Sequence, residues 1–221
     1  RRMTTIEEGY IKNIFSQKDM FDVINKIFNN CIRSNIEYQN LALIDKIPLF
    51  IKIITLTYGD KFKLSVKCKE CEEGKTKEID LNNDITIKYV PTSFKYPRSI
   101  KLQTYKNMDI TAIFRAPIIK DESLLFNKEK GLTEEIHSFI VDIQGYDENN
   151  NLITADMHRE LLNNLNHADR QEFRKFIKEF SEFGTDLQIK HKCQSKECKL
   201  YEKEQNVDLP LEEVFITVFN L

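Results

Sequence analysis

Glycine and proline are scarce, six and five in 221 residues. That scarcity excludes long flexible linkers and leaves little material for a glycine-rich loop that cradles phosphate. Net charge is nearly absent as well: 33 Lys plus Arg stand against 35 Asp plus Glu, so no strong global field draws the chain to DNA or to anionic lipid. No apolar run approaches the roughly 20 residues that span a bilayer, and the opening residues lack the apolar core of a signal peptide. A cytosolic origin without membrane insertion is therefore expected. No HExxH, no nucleophile elbow and no phosphate-binding loop occurs in the chain, so neither an enzyme nor a small-molecule substrate is expected.

What is present is a sizeable apolar fraction, 41%, enough to bury a real core. From Asp19 to Ile32, Phe21, Ile24, Ile27, Phe28 and Cys31 form the stripe of an amphipathic helix. A second helix is expected from Asp45 as N-cap, with Pro48 in its first turn, through Leu49, Phe50, Ile53, Ile54 and Leu56 to Gly59. It is apolar on several faces and should be central to the core. The period then shortens: Phe62, Leu64 and Val66 alternate with polar residues as a strand, and Thr76 to Leu81 should return beside it. Further alternating stretches at Ile85 to Val90, Ser99 to Gln103 and Asp109 to Arg115 give the middle of the chain a β character.

Helical spacing resumes with Thr133 as N-cap and Ile136, Phe139, Ile140 and Ile143 as an apolar stripe. Two more helices are expected. One is capped by Thr154 and carries Met157, Leu161, Leu162 and Leu165. The other is capped by Asn166, carries Phe173, Phe176, Ile177 and Phe180, and stops at Gly184. Leu187 to Lys190 and Asn206 to Leu209 should then form a closing hairpin. The fold class is α+β: a helical N-terminal part, central β segments, C-terminal helices and two cysteine-knuckle hairpins joined as a split zinc ribbon. The expected organisation is a helical region over 1–60, the first knuckle hairpin over 61–84 and a central β region over 85–130. A helical region over 131–184 and the second knuckle hairpin with the C-terminal tail over 185–221 complete one compact unit closed by zinc.

In a reducing compartment, closely spaced cysteines are more often metal ligands than disulfides. Cys68 and Cys71 form one pair, Cys193 and Cys198 another. Their surroundings match: LSVKCKECEEGKTKEIDL from Leu64 to Leu81, and LQIKHKCQSKECKLYEKEQNVDL from Leu187 to Leu209. Each has an alternating strand, a cysteine pair, a charged turn and a closing Ile/Val-Asp-Leu. One knuckle presents two thiolates on one side, and two knuckles complete a tetrahedral site. Lys67, Lys69, Lys192 and Lys196 would offset part of the thiolate charge. Residues 72–192 separate the pairs, more than a compact ribbon inserts, and the second pair has a four-residue gap instead of two. The competing readings are a redox pair at Cys68 and Cys71, or simply reduced thiols. His191 is the alternative ligand, giving a Cys3His site. A site of four thiolates has no open position for water, so one structural Zn(2+) per chain is expected, stapling the fold.

Cys31 sits on an apolar helical face and reads as core. His137, beside Glu134 and Glu135, and His158 and His167 read as solvated surface. The stretch Lys88 to Lys106, with Tyr89, Phe94, Tyr96 and Tyr105 among Lys88, Lys95, Arg98, Lys101 and Lys106, has the composition to stack on single-stranded nucleic acid. It also suits a surface that meets another protein, and the near-neutral charge favours that account. Leu209 to Leu221, with Val214, Phe215, Val218 and Phe219, is apolar enough to dock on a partner or on the chain's own core.

Four features together resemble the baseplate hub and hub-assembly proteins of T4-like contractile-tailed phages: MTTIEE at Met3 to Glu8, the helix with Cys31, LIDKIPLFIKIITLTYGDKFKLSVKCKEC from Leu43 to Cys71, and KCQSKEC followed by VDLPLEEVF. The resemblance spans most of the chain and departs from the family pattern in the wider Cys193 to Cys198 spacing and in lysine-rich loops. It implies a nonenzymatic tail protein, a baseplate hub component or a chaperone of hub assembly. Its implied partners are other tail proteins of the hub, tube or wedge, and its implied location is the virion baseplate, or the host cytoplasm during assembly. The alternative from a different class is a zinc-ribbon regulator that binds nucleic acid.

Overall fold

A computed structural model describes residues 1–11, 17–33, 35, 37–125 and 138–209. The expected helix start at Thr133 with Ile136 and His137, and the apolar tail with Val214, Phe215, Val218 and Phe219, lie outside the described residues. The protein is a mixed helix and strand fold, as the sequence pattern indicates. The helices are α1 (Thr5–Ile11), α2 (Gln17–Cys31), α3 (Lys46–Tyr58), α4 (Glu122–Leu125), α5 (His158–Asn163) and α6 (His167–Ser181). The strands are β1 (Lys61–Lys67), β2 (Gly74–Asp80), β3 (Thr86–Lys88), β4 (Arg98–Lys101), β5 (Thr111–Phe114), β6 (Ile140–Gln144), β7 (Gly184–Asp186), β8 (Gln188–Lys192) and β9 (Glu204–Asp208). The chain divides into two compact units, residues 1–38, 47–88 and 185–221 forming one and residues 39–46 and 89–184 the other.

The first unit holds the cysteine hairpins. Helix α2 buries Val23, Ile24, Ile27, Phe28 and Cys31, the spacing of one helical face. Helix α3 buries Phe50, Ile51, Ile53 and Ile54. It ends where Gly59 takes φ +92, a left-handed position that glycine adopts without steric cost. The alternation from Phe62 to Val66 is realised in β1, whose residues alternate exposed and buried along its length. Strand β2 pairs with it antiparallel, Phe62 opposite Ile79 and Lys67 opposite Gly74. Strands β8 and β9 form the second hairpin, Ile189 opposite Val207 and Lys192 opposite Glu204.

The second unit is a three-stranded antiparallel sheet, β4-β5-β6, whose core joins Ala112, Phe114 and Ile143 to Leu161, Leu162, Phe173 and Phe176 of the two following helices and to Leu165 of the link between them. Phe114 meets Phe176 edge-on, with ring centroids 4.4 Å apart. The expected helical stripe through Ile140 and Ile143 is corrected here, because both residues lie in β6. Three of its five residues, Ile140, Val141 and Ile143, are β-branched and suit a pleated surface. Pairing with β5 then prevails over a spacing that also fits a helix. A register shift between Ile113 and Phe114 perturbs the strict alternation that would have marked the strand. Asn166 caps α6 as its sequence position indicates, its side chain accepting the Asp169 N–H. Thr154 instead precedes a single 3-10 turn, Ala155–Met157, and makes no side-chain cap.

Candidate metal centre

Each cysteine pair sits at the tip of a hairpin, where backbone hydrogen bonds fold the chain back on itself. In the first knuckle the Cys68 N–H donates to the Glu73 carbonyl at 3.1 Å, and the Glu72 N–H donates to the Cys68 carbonyl at 3.0 Å. In the second, the Glu202 N–H donates to the Cys193 carbonyl at 2.8 Å. Glu72 and Glu202 thus bond alike to the first cysteine of their pair, and both take φ +56. The base of each hairpin also closes alike, by Leu81 N–H to the Asp60 carbonyl and by Leu209 N–H to the Leu187 carbonyl. Cys68 thus corresponds to Cys193, and Cys71 to Cys198. The ladders differ in length, seven residues per strand in the first hairpin and five in the second. The four-residue gap is taken up by a turn in which the Cys198 N–H donates to the Ser195 carbonyl.

The four sulfurs converge, all within 4.8 Å of one another. Cys68 Sγ lies 3.8 Å from Cys198 Sγ, and Cys71 Sγ lies 3.7 Å from Cys193 Sγ. Exchanging the two hairpins maps the first of these distances onto the second, so the cluster has an approximate twofold relation. A disulfide would need about 2.0 Å. Sulfurs placed about 2.3 Å from a tetrahedral centre stand about 3.8 Å apart. The donor set and its spacing therefore fit one metal ion. Cys68, Cys193 and Cys198 are buried with Leu200 packed against them, and Cys71 is exposed.

The sulfurs are not electrostatically equal. Hydrogen bonds from the Cys71 backbone, the Gln205 amide and the Glu70 backbone bring the Cys68 thiol down to about 6. Burial pushes Cys193 up to about 12. The Glu70 N–H reaches Cys68 Sγ at 3.5 Å and the Gln205 amide at 3.3 Å, and the Leu200 N–H reaches Cys198 Sγ at 3.4 Å, while the backbone of Glu73 and of Ser195 bonds to Cys71 and Cys193. The side chains of Lys67, Lys69, Lys192 and Lys196 are exposed. Gln205 is the member of the site that sequence reading missed. Its only signal is its register place opposite His191, two residues ahead of Cys193. His191 is buried at 6% exposure. Burial, and then Lys77 and Lys75, lower its pKa. Among the described residues the converging ligand atoms are those of Cys68, Cys71, Cys193 and Cys198, and His191 is not in the set.

Cys31 is buried on α2, its thiol raised by burial, as a core residue should be. His158 lies 4.0 Å from Asp142, and His167 is exposed beside Gln171. In the basic and aromatic stretch, Phe94 packs inward against Phe176, Phe180 and Phe183. Lys88 pairs with Asp186, Arg98 with Glu179 and Lys101 with Asp109. Local acids thus balance much of the charge that a polyanion would read, while Tyr89 and Tyr96 stay exposed. No helix among the described residues is long and apolar enough to cross a membrane.

A protein-family model described as T4 bacteriophage base plate protein matches residues 4–213. Searches of curated proteins and of solved structures find no match to the chain.

Proposed function

The chain belongs to the T4 bacteriophage base plate protein family, and from that premise we propose that it serves the baseplate hub, as a component or as the chaperone that assembles it. It works through protein–protein contacts with hub, tube or wedge proteins and performs no chemistry of its own. The observation that carries this reading is the family match across nearly the whole chain. Mass spectrometry of purified virions tests it. A hub component is present in finished particles at fixed stoichiometry, whereas a chaperone is found with hub proteins in infected-cell extract and is absent from particles. Absence from both the particle and any complex with tail proteins contradicts the proposal.

The ion at the metal centre is zinc, held by Cys68, Cys71, Cys193 and Cys198. Four sulfur ligands at these separations favour a soft-accepting, tetrahedral ion over an oxygen-seeking one. With every position filled by protein, the ion holds the two hairpins together and leaves no place for an activated water. The thiolates supply the ligand charge, and the burial of Cys68, Cys193 and Cys198 limits solvent access to the side on which Cys71 is exposed.

A further inference from the structure

Gln205 reaches from the second hairpin across to the first. Its amide oxygen accepts the Lys69 N–H at 3.2 Å, and its amide nitrogen donates to Cys68 Sγ at 3.3 Å. The two contacts fix the orientation of the amide, because turning it over would set its NH2 against the Lys69 N–H. Counting back from each knuckle, the equivalent residue of the first hairpin is Lys75, opposite Val66 as Gln205 is opposite His191. Lys75 is exposed. The amide is thus a departure from the hairpins' likeness, and it falls on one ligand.

We infer that Gln205 is a positioning residue of the metal centre, which locks β9 to the first knuckle and aims the Cys68 sulfur at the shared ion. The inference rests on the zinc reading above. Metal-bound sulfur carries excess negative charge, and an N–H directed at it both stabilises that charge and fixes the sulfur's direction. Because the same amide also binds the Lys69 N–H, the sulfur is aimed only when the two hairpins are docked in register. Lys77 makes a second crossing, its Nζ donating to the Lys190 carbonyl at 2.8 Å, and it forms a control for docking alone.

The test is a Co(II) titration of the full chain against a competing chelator, reading affinity and the sulfur-to-cobalt charge-transfer band. A parent chain that binds no cobalt overturns the metal reading itself, separately from the role of Gln205. Gln205→Glu keeps an acceptor for Lys69 but turns a carboxylate toward sulfur. It should bind cobalt about 10 to 100-fold more weakly, with a shifted band, and Gln205→Ala should weaken binding in the same direction. Lys77→Ala should keep the parent's band. Gln205→Asn, one methylene shorter, is the variant to read if the other two do not fold, and it too should bind more weakly. Parental affinity and spectrum in the Gln205 variants overturn the inference, as does an equal spectral change in Lys77→Ala.

Discussion

Single polar residues organise both units where apolar packing alone would leave alternatives. Asp169, 1% exposed, accepts the Gln103 N–H, the Thr104 N–H and the Thr104 hydroxyl at 2.6 to 2.8 Å. It ties the turn after β4 to the first turn of α6. Removing its carboxylate leaves those donors without their partner, a cost of about 3 kcal/mol or more. Asp169→Ala should lower stability by that amount in urea unfolding. Glu7 does comparable service in α1. Burial alone would raise its pKa, but hydrogen bonds from Arg1 and from Thr4 outweigh that and bring it to about 2, from an ordinary 4.5. Because the folded value is the lower one, the ion contributes stability above pH 4.5, and that contribution is lost as pH falls toward 2. Thermal unfolding across this range should show a steeper decline in the parent than in Glu7→Gln, which keeps only the part due to other carboxylates with lowered pKa such as Asp80 and Asp147.

At the scale of elements, close backbone approach sets the end of β6. Gly145 has φ +142, and a Cβ built there would lie 2.2 Å from the Asp109 carbonyl oxygen. The neighbour is backbone, which cannot swing aside, so Gly145→Ala should cost more than about 2 kcal/mol by displacing β6 from β5. Thermal denaturation against the parent measures it. Elements with one strong period were readable from sequence: α2 from its apolar stripe, β1 from alternation, α6 from its Asn166 cap. Strand β6 was not, because Ile140 and Ile143 also suit a helix and their strand partner is fixed only by tertiary pairing with β5. Strand β7 was missed for a related reason: three residues starting at a glycine carry no period, and their pairing with β3 is nonlocal. The cysteine hairpins were legible because each repeats the same local pattern. Gln205 was not, since the contact that makes it matter crosses 137 positions of sequence.

For the whole molecule, the four-cysteine cluster brings together two hairpins from distant parts of the chain. Strands β1 and β2 follow the N-terminal helices, while β8 and β9 come after the 39–46 and 89–184 segments of the other unit. Closure at the sulfurs therefore links chain segments that neither hairpin can hold by local pairing alone, and binding free energy at such a site is folding free energy. The chain belongs to the T4 bacteriophage base plate protein family; under the zinc reading proposed above, every coordination position is filled by protein. The most direct measurement is elemental analysis of the full chain purified without chelator, with and without serine in place of Cys68, Cys71, Cys193 and Cys198. The account predicts one zinc per chain in the parent and loss of both zinc and thermal stability in the variant. Well under one zinc per parent chain, or a variant as stable as the parent, would contradict it.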